Sequence, residues 1–283
     1  MIIELQHIHF QMLYLNLILK PDTDMKIDLK GKNALVCGAS KGIGRSIANT
    51  LAESGANVTI VARNEDQLKT VMQSLQTDVG QQHNYEVLDF QDTEATKKRL
   101  SSLKNDYHIL INNTGGPKSG KVSDAQPEDF DLAFKMHLQT SHLFAKHVVP
   151  FMQETGFGRI INIISTSVKI PIEGLGVSNT VRGAMASWSK TLSNELGGYG
   201  ITVNSILPGF ADTDRLRELI ASRAKAADVA ESVIEEKMKS SVPAGRFATP
   251  EEIASVVCFL ASPFAAYVNG TSIRVDGGKT GSI

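Results

Sequence analysis

The chain has 283 residues, 42% hydrophobic and 21% charged, with a formal net charge of −1. This balance supplies a sizeable buried core and excludes the strongly basic footprint of a nucleic-acid or anionic-membrane binder. Two cysteines, Cys37 and Cys258, make neither a disulfide framework nor a metal site on their own, and they fit a reducing, cytoplasmic compartment.

The chain opens MIIELQHIHFQMLYLNLILK, an apolar stretch broken by Glu4, Gln6, His7, His9, Gln11 and Asn16. It lacks the basic start and small-residue cleavage site of a signal peptide, and it is too interrupted for a membrane span. Residues 1–25 read as a tail, with Met25 a candidate native start and one domain over 26–283. From Lys32 on, short apolar runs recur: ALVC (34–37), NVTIVA (57–62), YEVLDF (85–90), HILIN (108–112), RIINII (159–164), ITVNSIL (201–207) and TSIRV (271–275). Segments such as SIANTLAES and EDQLKTVMQSL between them repeat at 3.6 residues. The alternation predicts βαβ units in a single α/β domain: a Rossmann-type, doubly wound, seven-stranded parallel sheet. Ligands of such sheets bind beyond the carboxyl ends of the strands, so the residues following each run are the candidates.

After the first run comes CGASKGIGRSIA. Gly38, Gly42 and Gly44 let the backbone turn tightly and approach a pyrophosphate, and the helix that follows aims its free N–H groups at the phosphates. Ser40, Lys41 and Ile43 complete the loop. The second run ends in VARNEDQL, where an NAD-preferring site usually carries an acid for the ribose hydroxyls. Here Arg63 occupies that region. Together with Lys41 it suits a 2′-phosphate, which favours NADP(H) over NAD(H). The competing reading is that both are solvated surface charges.

GLGVSNTVRGAMASWSKTLSNEL (174–196) reads as a helix with a polar start. Ser178 and Arg182, four apart, share one face. Ser178 is either a site residue or a helix cap, and Arg182 faces either the cofactor or solvent. Trp188 reads as packing or a subunit contact. His137, His142 and His147 are five apart, the wrong spacing for a helix-face metal site, and no metal is expected. DTDRLRELIASRAKAADVAESVIEEKMKSS (212–241) is a charged amphipathic insertion, either a lid over the substrate or a plain pair of surface helices.

The Gly-x-x-x-Gly-x-Gly spacing resembles the short-chain dehydrogenase/reductases, and further motifs agree in order. NNTG (112–115) resembles the family's Asn-Asn-Ala-Gly and contributes Asn112, Asn113 and Gly115. LDF (88–90) resembles the adenine-contacting segment, with Asp89 and Phe90. GRIINIIS (158–165) resembles the strand that ends in the catalytic Ser, here Ser165. GITVNSILPGFADT (200–213) resembles the strand and turn that meet the nicotinamide, with Pro208, Gly209 and Thr213. NGTSIRVDGG (269–278) resembles the last strand. The resemblance is strongest to reductases of the 3-oxoacyl-carrier-protein type. It implies a small-molecule or acyl-carrier-linked carbonyl substrate, no nucleic-acid or membrane partner, and a homodimer or homotetramer.

The family's chemistry also implies Tyr-x-x-x-Lys and a helix Asn. At those positions the sequence has Ser178, Arg182 and His137. A Tyr has an ordinary pKa near ~10, which a neighbouring Lys can lower. A Ser hydroxyl is a much weaker acid, and Arg keeps its proton. Arg182 can still hold ribose hydroxyls and stabilise a developing alkoxide. The proton then comes from water or from His137, which titrates near neutrality when unperturbed. Lys118, Lys169 and Glu173 are nearby ionisable candidates, or ordinary loop charges. Two main readings follow: an NADP(H)-dependent oxidoreductase with an altered proton donor, and a dinucleotide-binding sensor or subunit without turnover. Non-redox acid–base chemistry on the same scaffold is a third.

Overall fold

The computed structural model describes residues 26–282. The tail over 1–25, with its candidate start at Met25, lies outside the described residues. Seven parallel strands make one sheet in the order β3-β2-β1-β4-β5-β6-β7. They are β1 (Asn33–Cys37), β2 (Asn57–Ala62), β3 (Asn84–Val87), β4 (Ile109–Asn112), β5 (Gly158–Ile163), β6 (Ile201–Pro208) and β7 (Ser272–Val275). The chain winds outward from β1 to β3, returns to place β4 beside β1, and then winds outward the other way. This is the expected single doubly wound domain. The β3 ladder stops at Val87, so Leu88–Phe90 leave the sheet as a loop across its end.

The main helices are α1 (Gly42–Glu53), α2 (Glu65–Ser74), α3 (Thr93–Ser102), α4 (Pro127–Phe134), α5 (Thr140–Thr155), α6 (Gly176–Leu196), α7 (Asp214–Ala227), α8 (Glu231–Ser240) and α9 (Pro250–Ala261). Strands covered on both faces need apolar residues at successive positions rather than alternation, and every residue of β5 is buried. One core layer packs Ile47, Leu51, Leu68, Ile253 and Val257 of α1, α2 and α9 on the sheet. The other packs Leu100, Phe144, Val148, Met152 and Leu196 of α3, α5 and α6 on the opposite face. Each such side chain contributes about 1.5–3 kcal/mol by leaving water.

A chain of buried polar side chains ties the sheet centre to α6. Asn112 donates to Asn162 Oδ1 (2.8 Å), Asn162 donates to Ser189 Oγ (3.0 Å), and Ser205 donates to the same hydroxyl (3.1 Å). Fully satisfied networks of this kind fix register, because any slip would strand a polar group in the core. No helix among the described residues is long and apolar enough to cross a membrane.

Candidate functional site

A cleft of about 1130 Å³ opens at the carboxyl ends of the strands, where β1 and β4 part the two halves of the winding. Its floor is the loop between β1 and α1. Gly38 and Gly42 hold φ of +62° and +56°, a region where only glycine is unstrained. Gly44 is needed for a different reason. A Cβ there would sit 2.2 Å from Gly38 O and 2.6 Å from Asn113 Nδ2, so any side chain would push α1 off the loop. Asn113 secures the loop by donating to Gly38 O (3.1 Å).

At the β2 end of the cleft, Arg63 directly follows the strand and lines the cleft, exposed. The backbone beyond it is fixed because Asn64 caps α2, accepting from Gln67 N at 2.9 Å. Asp89 and Phe90 line the same end. Phe90 is anchored by an edge-on contact with Phe144, ring centroids 5.9 Å apart. Lys41 leans the other way, toward Asp214 at the start of α7, with Nζ 3.6 Å from the carboxylate.

At the centre, Ser165 follows β5. Its Oγ accepts from Ser167 N (3.1 Å), which leaves the O–H free for the cleft. Ser178 lies in the first turn of α6, but it is not the cap: Leu175 holds that position, with no side-chain cap bond. Ser178 also lines the cleft. Arg182, one turn on, does not face solvent. It is 8% exposed and donates to Ile163 O at 2.9 Å. Burial lowers its pKa to about 10, so it is positively charged at neutral pH. Pro208, Gly209 and Thr213 line the wall after β6. Gly209 passes so close to Asp276 that a Cβ would lie 2.7 Å from its Cα.

Three expected residues sit behind the cleft wall. Gly44 is a packing position. The side-chain amide of Asn112 is spent on Asn162, which makes it a sheet residue. His137, 2% exposed, is turned inward by a π-helical turn over Lys135–Gln139 between α4 and α5. Its Nδ1 is hydrogen-bonded to Thr114 Oγ1, while its Nε2 has no partner among the described residues. Burial, and then the positive charge of Arg182, push the imidazole down to about pKa 2. It therefore stays neutral across the working range and does not act as an imidazolium acid. Of the other ionisable candidates, Glu173 lines the cleft. Among the described residues no group of three or more His, Cys, Asp or Glu could hold a metal ion.

Thr114 lines the cleft but went unmarked in the sequence, although it lies inside NNTG. Its bond to His137 links the loop after β4 to a π-helical turn 23 residues on, which no local pattern reveals. Arg223, Lys279 and Thr280 also line the cleft. Lys279 and Thr280 come from the segment after DGG, whose return to the site is a matter of tertiary packing.

A glycine loop at the β1/β4 switch point, with a serine after β5 and a buried cation on α6 in the same cleft, is the arrangement of a doubly wound α/β protein whose ligand site lies beyond the strands' carboxyl ends. The enoyl-(acyl carrier protein) reductase family model matches residues 38–280. The chain belongs to that family, within the short-chain dehydrogenase/reductase superfamily of oxidoreductases. The 3-oxoacyl-(acyl-carrier-protein) reductase FabG of Vibrio harveyi is 33% identical over 252 residues, covering 89% of this chain and 98% of its own. The NADPH-dependent reductase BacG of Bacillus subtilis (strain 168) is 31% identical over 264 residues, covering 89% and 99%. The crystal structure of L-sorbose reductase from Gluconobacter frateurii, complexed with NADPH and L-sorbose, superposes with a TM-score of 0.85 at 28% identity, covering 92% of this chain and all of that one.

Proposed function

We propose that the protein is an NADP(H)-dependent oxidoreductase that interconverts a carbonyl and a secondary alcohol, with water in place of a tyrosine as proton source. The glycine cradle of Gly38 and Gly42 fits a pyrophosphate, since side chains there would be strained or would crowd Thr213. Ser40, Lys41, Ile43, Asp89, Phe90, Asn113 and Gly115 complete the cofactor wall, and Arg63 takes the 2′-phosphate. NADPH named with two of the relatives supports this preference. When bound, the nicotinamide supplies a hydride to the carbonyl carbon. The Ser165 O–H donates to the carbonyl oxygen. Arg182 places a fixed positive charge where that oxygen becomes an alkoxide, a contribution that is large in a buried setting. Its guanidinium also suits the ribose hydroxyls.

The alkoxide oxygen takes a proton from the Ser178 hydroxyl, which regains one from water in the open cleft, and the hydroxide so formed is neutralised by bulk solvent. His137 takes no part as donor. Residues 212–241 form the lid over a small or acyl-carrier-linked substrate, and 26–283 form the functional domain. The assembly is a homodimer or homotetramer. The setting is the cytoplasm, which suits two buried free thiols.

The observation that carries this reading is that Ser165 and the buried Arg182 share one cleft with the glycine loop. It is tested by NADPH oxidation, followed at the nicotinamide absorbance over a panel of ketones and aldehydes. Ser165→Ala should lower kcat at least about 100-fold with NADPH affinity unchanged. One observation favours a dinucleotide-binding sensor instead: among the described residues no tyrosine lines the cleft. Tight NADPH binding with no oxidation across the panel would select that reading.

A further inference from the structure

The outer part of the cleft is walled by α7. Leu216, Leu219 and Arg223 follow one another at steps of three and four residues, and all three line the cleft. That spacing stacks them on one helix face. At 1.5 Å per residue, Arg223 lies about 15 Å along the axis from Thr213, away from the glycine loop.

Arg223 is half-buried, yet among the described residues its guanidinium makes no hydrogen bond or ion pair. The neighbouring cations are occupied. Arg215 donates to Glu218 Oε2 and to Pro117 O, and Arg217 is paired with Asp212 at 2.8 Å. Lys279 donates to Ser241 Oγ (3.1 Å) and stands 4.8 Å over the Phe210 ring. The acid at the start of α7, Asp214, is drawn to Lys41. Glu173, the remaining carboxylate at this end, is exposed on the loop before α6. A guanidinium presents five donors in a fixed fork, matched to carboxylate and phosphate oxygens. Arg223 therefore offers the cleft a guanidinium that no protein acceptor among the described residues occupies, and an anionic ligand oxygen there would make a charge-assisted bond.

We infer that Arg223 binds an anionic oxygen group, a carboxylate or a phosphate, on the tail of the substrate. The substrate is then an extended carbonyl compound whose charged end lies beyond an apolar step lined by Leu219 and Phe210. The inference rests on the oxidoreductase reading for the carbonyl end and adds the charge of the tail.

The test uses the full chain with NADPH and two matched pairs of ketone probes. One pair is a medium-chain oxocarboxylate and its methyl ester. The other is acetoacetyl-phosphopantetheine and acetoacetyl-pantetheine. In one pair, kcat/KM for the charged member should exceed that of its neutral mate by about 10- to 100-fold, and the pair that shows the effect separates carboxylate from phosphate. Arg223→Leu should erase the advantage while leaving the neutral member within about threefold, and Arg223→Lys should keep part of it. Equal rates within both pairs, or equal loss on both members in Arg223→Leu, overturns the inference and leaves the oxidoreductase reading standing. If no probe turns over, calorimetric binding of the charged probes to the NADPH-treated protein decides. Binding that Arg223→Leu abolishes keeps the anion subsite and removes the oxidoreductase reading. No binding, or binding indifferent to the substitution, overturns the subsite.

Discussion

Replacing Arg63 with alanine should separate the two nicotinamide cofactors. Arg63 is exposed and lines the cleft, and among the described residues no carboxylate pairs with it, so a phosphate would meet a free guanidinium. A charge-assisted hydrogen bond is worth about 1.5–3 kcal/mol. Exposure and salt act against it, because charges are screened over about 8 Å at physiological ionic strength. The lower part of that range, about 1.5–2 kcal/mol, is the fair expectation, and it corresponds to a Kd for NADPH raised about 10- to 30-fold. NADH lacks the 2′-phosphate and should weaken by no more than about threefold. Asn64 caps α2 with its own side chain, so truncating Arg63 leaves the local backbone in place. Calorimetric titration with both cofactors at low and high salt measures the effect, and the wild-type preference for NADPH should itself shrink as salt rises. An equal loss for NADPH and NADH would refute the reasoning, as would a preference indifferent to salt.

Asp214→Asn should release Lys41 from its 3.6 Å partner and tighten NADPH by a few-fold, read by the same titration; a weakened affinity would count against Lys41 facing the phosphates. Gly44→Ala places a methyl 2.2 Å from Gly38 O, and overpacking against backbone should cost about 3 kcal/mol, seen as a lowered Tm; an unchanged Tm would mean that the loop is not held as described. His137 is neutral when folded, its pKa pushed down to about 2 from 6.5, so the unfolded chain binds the extra proton at acid pH. Stability is therefore lost as pH falls, by about 1 kcal/mol per such group between roughly pH 6.5 and 5.5. Urea unfolding of His137→Asn should show a shallower loss than wild type, and identical slopes would remove His137 as a contributor.

The sheet was legible because parallel strands covered on both faces are written as continuous apolar runs. NVTIVA is β2 to the residue, and RIINII differs from β5 by one residue at each end. YEVLDF overran because two of its last three residues are apolar for another reason: Leu88 and Phe90 pack beside Phe144 in the core as a loop. The glycine loop was legible through spacing alone. Asn112 and Asn113 are adjacent and chemically identical, yet one is a sheet bond and the other a loop anchor, because β4 ends at Asn112 and Asn113 already belongs to the loop beside the glycines. Only the strand's end and the partners Asn162 and Gly38 distinguish them. His137 was legible as a position but not as an environment. Its burial, the main cause of its neutrality, comes with a π-helical turn, and the second cause is a cation that lies forty-five positions later in the chain.

Thr114, His137 and Arg182 form one physical unit. An always-charged guanidinium, 8% exposed, cannot tolerate a second cation beside it, so a residue that packs there must be neutral. The imidazole meets that condition because burial and Arg182 act in the same direction on its pKa. Thr114 then satisfies one ring nitrogen. In the proposed reaction this exchanges a proton-carrying arrangement for a fixed charge, which stabilises the alkoxide without supplying its proton. Such a unit predicts non-additivity. His137→Asn and Arg182→Lys, each made alone, should disturb the site: Asn shortens the reach to Thr114, and Lys gives up the guanidinium fork that bonds Ile163 O. Made together, they remove both the bulky ring and the planar cation, and the loss in stability and in turnover should fall short of the sum of the two. A double-mutant cycle that closes to within about 0.5 kcal/mol on both readouts would show the positions to be independent.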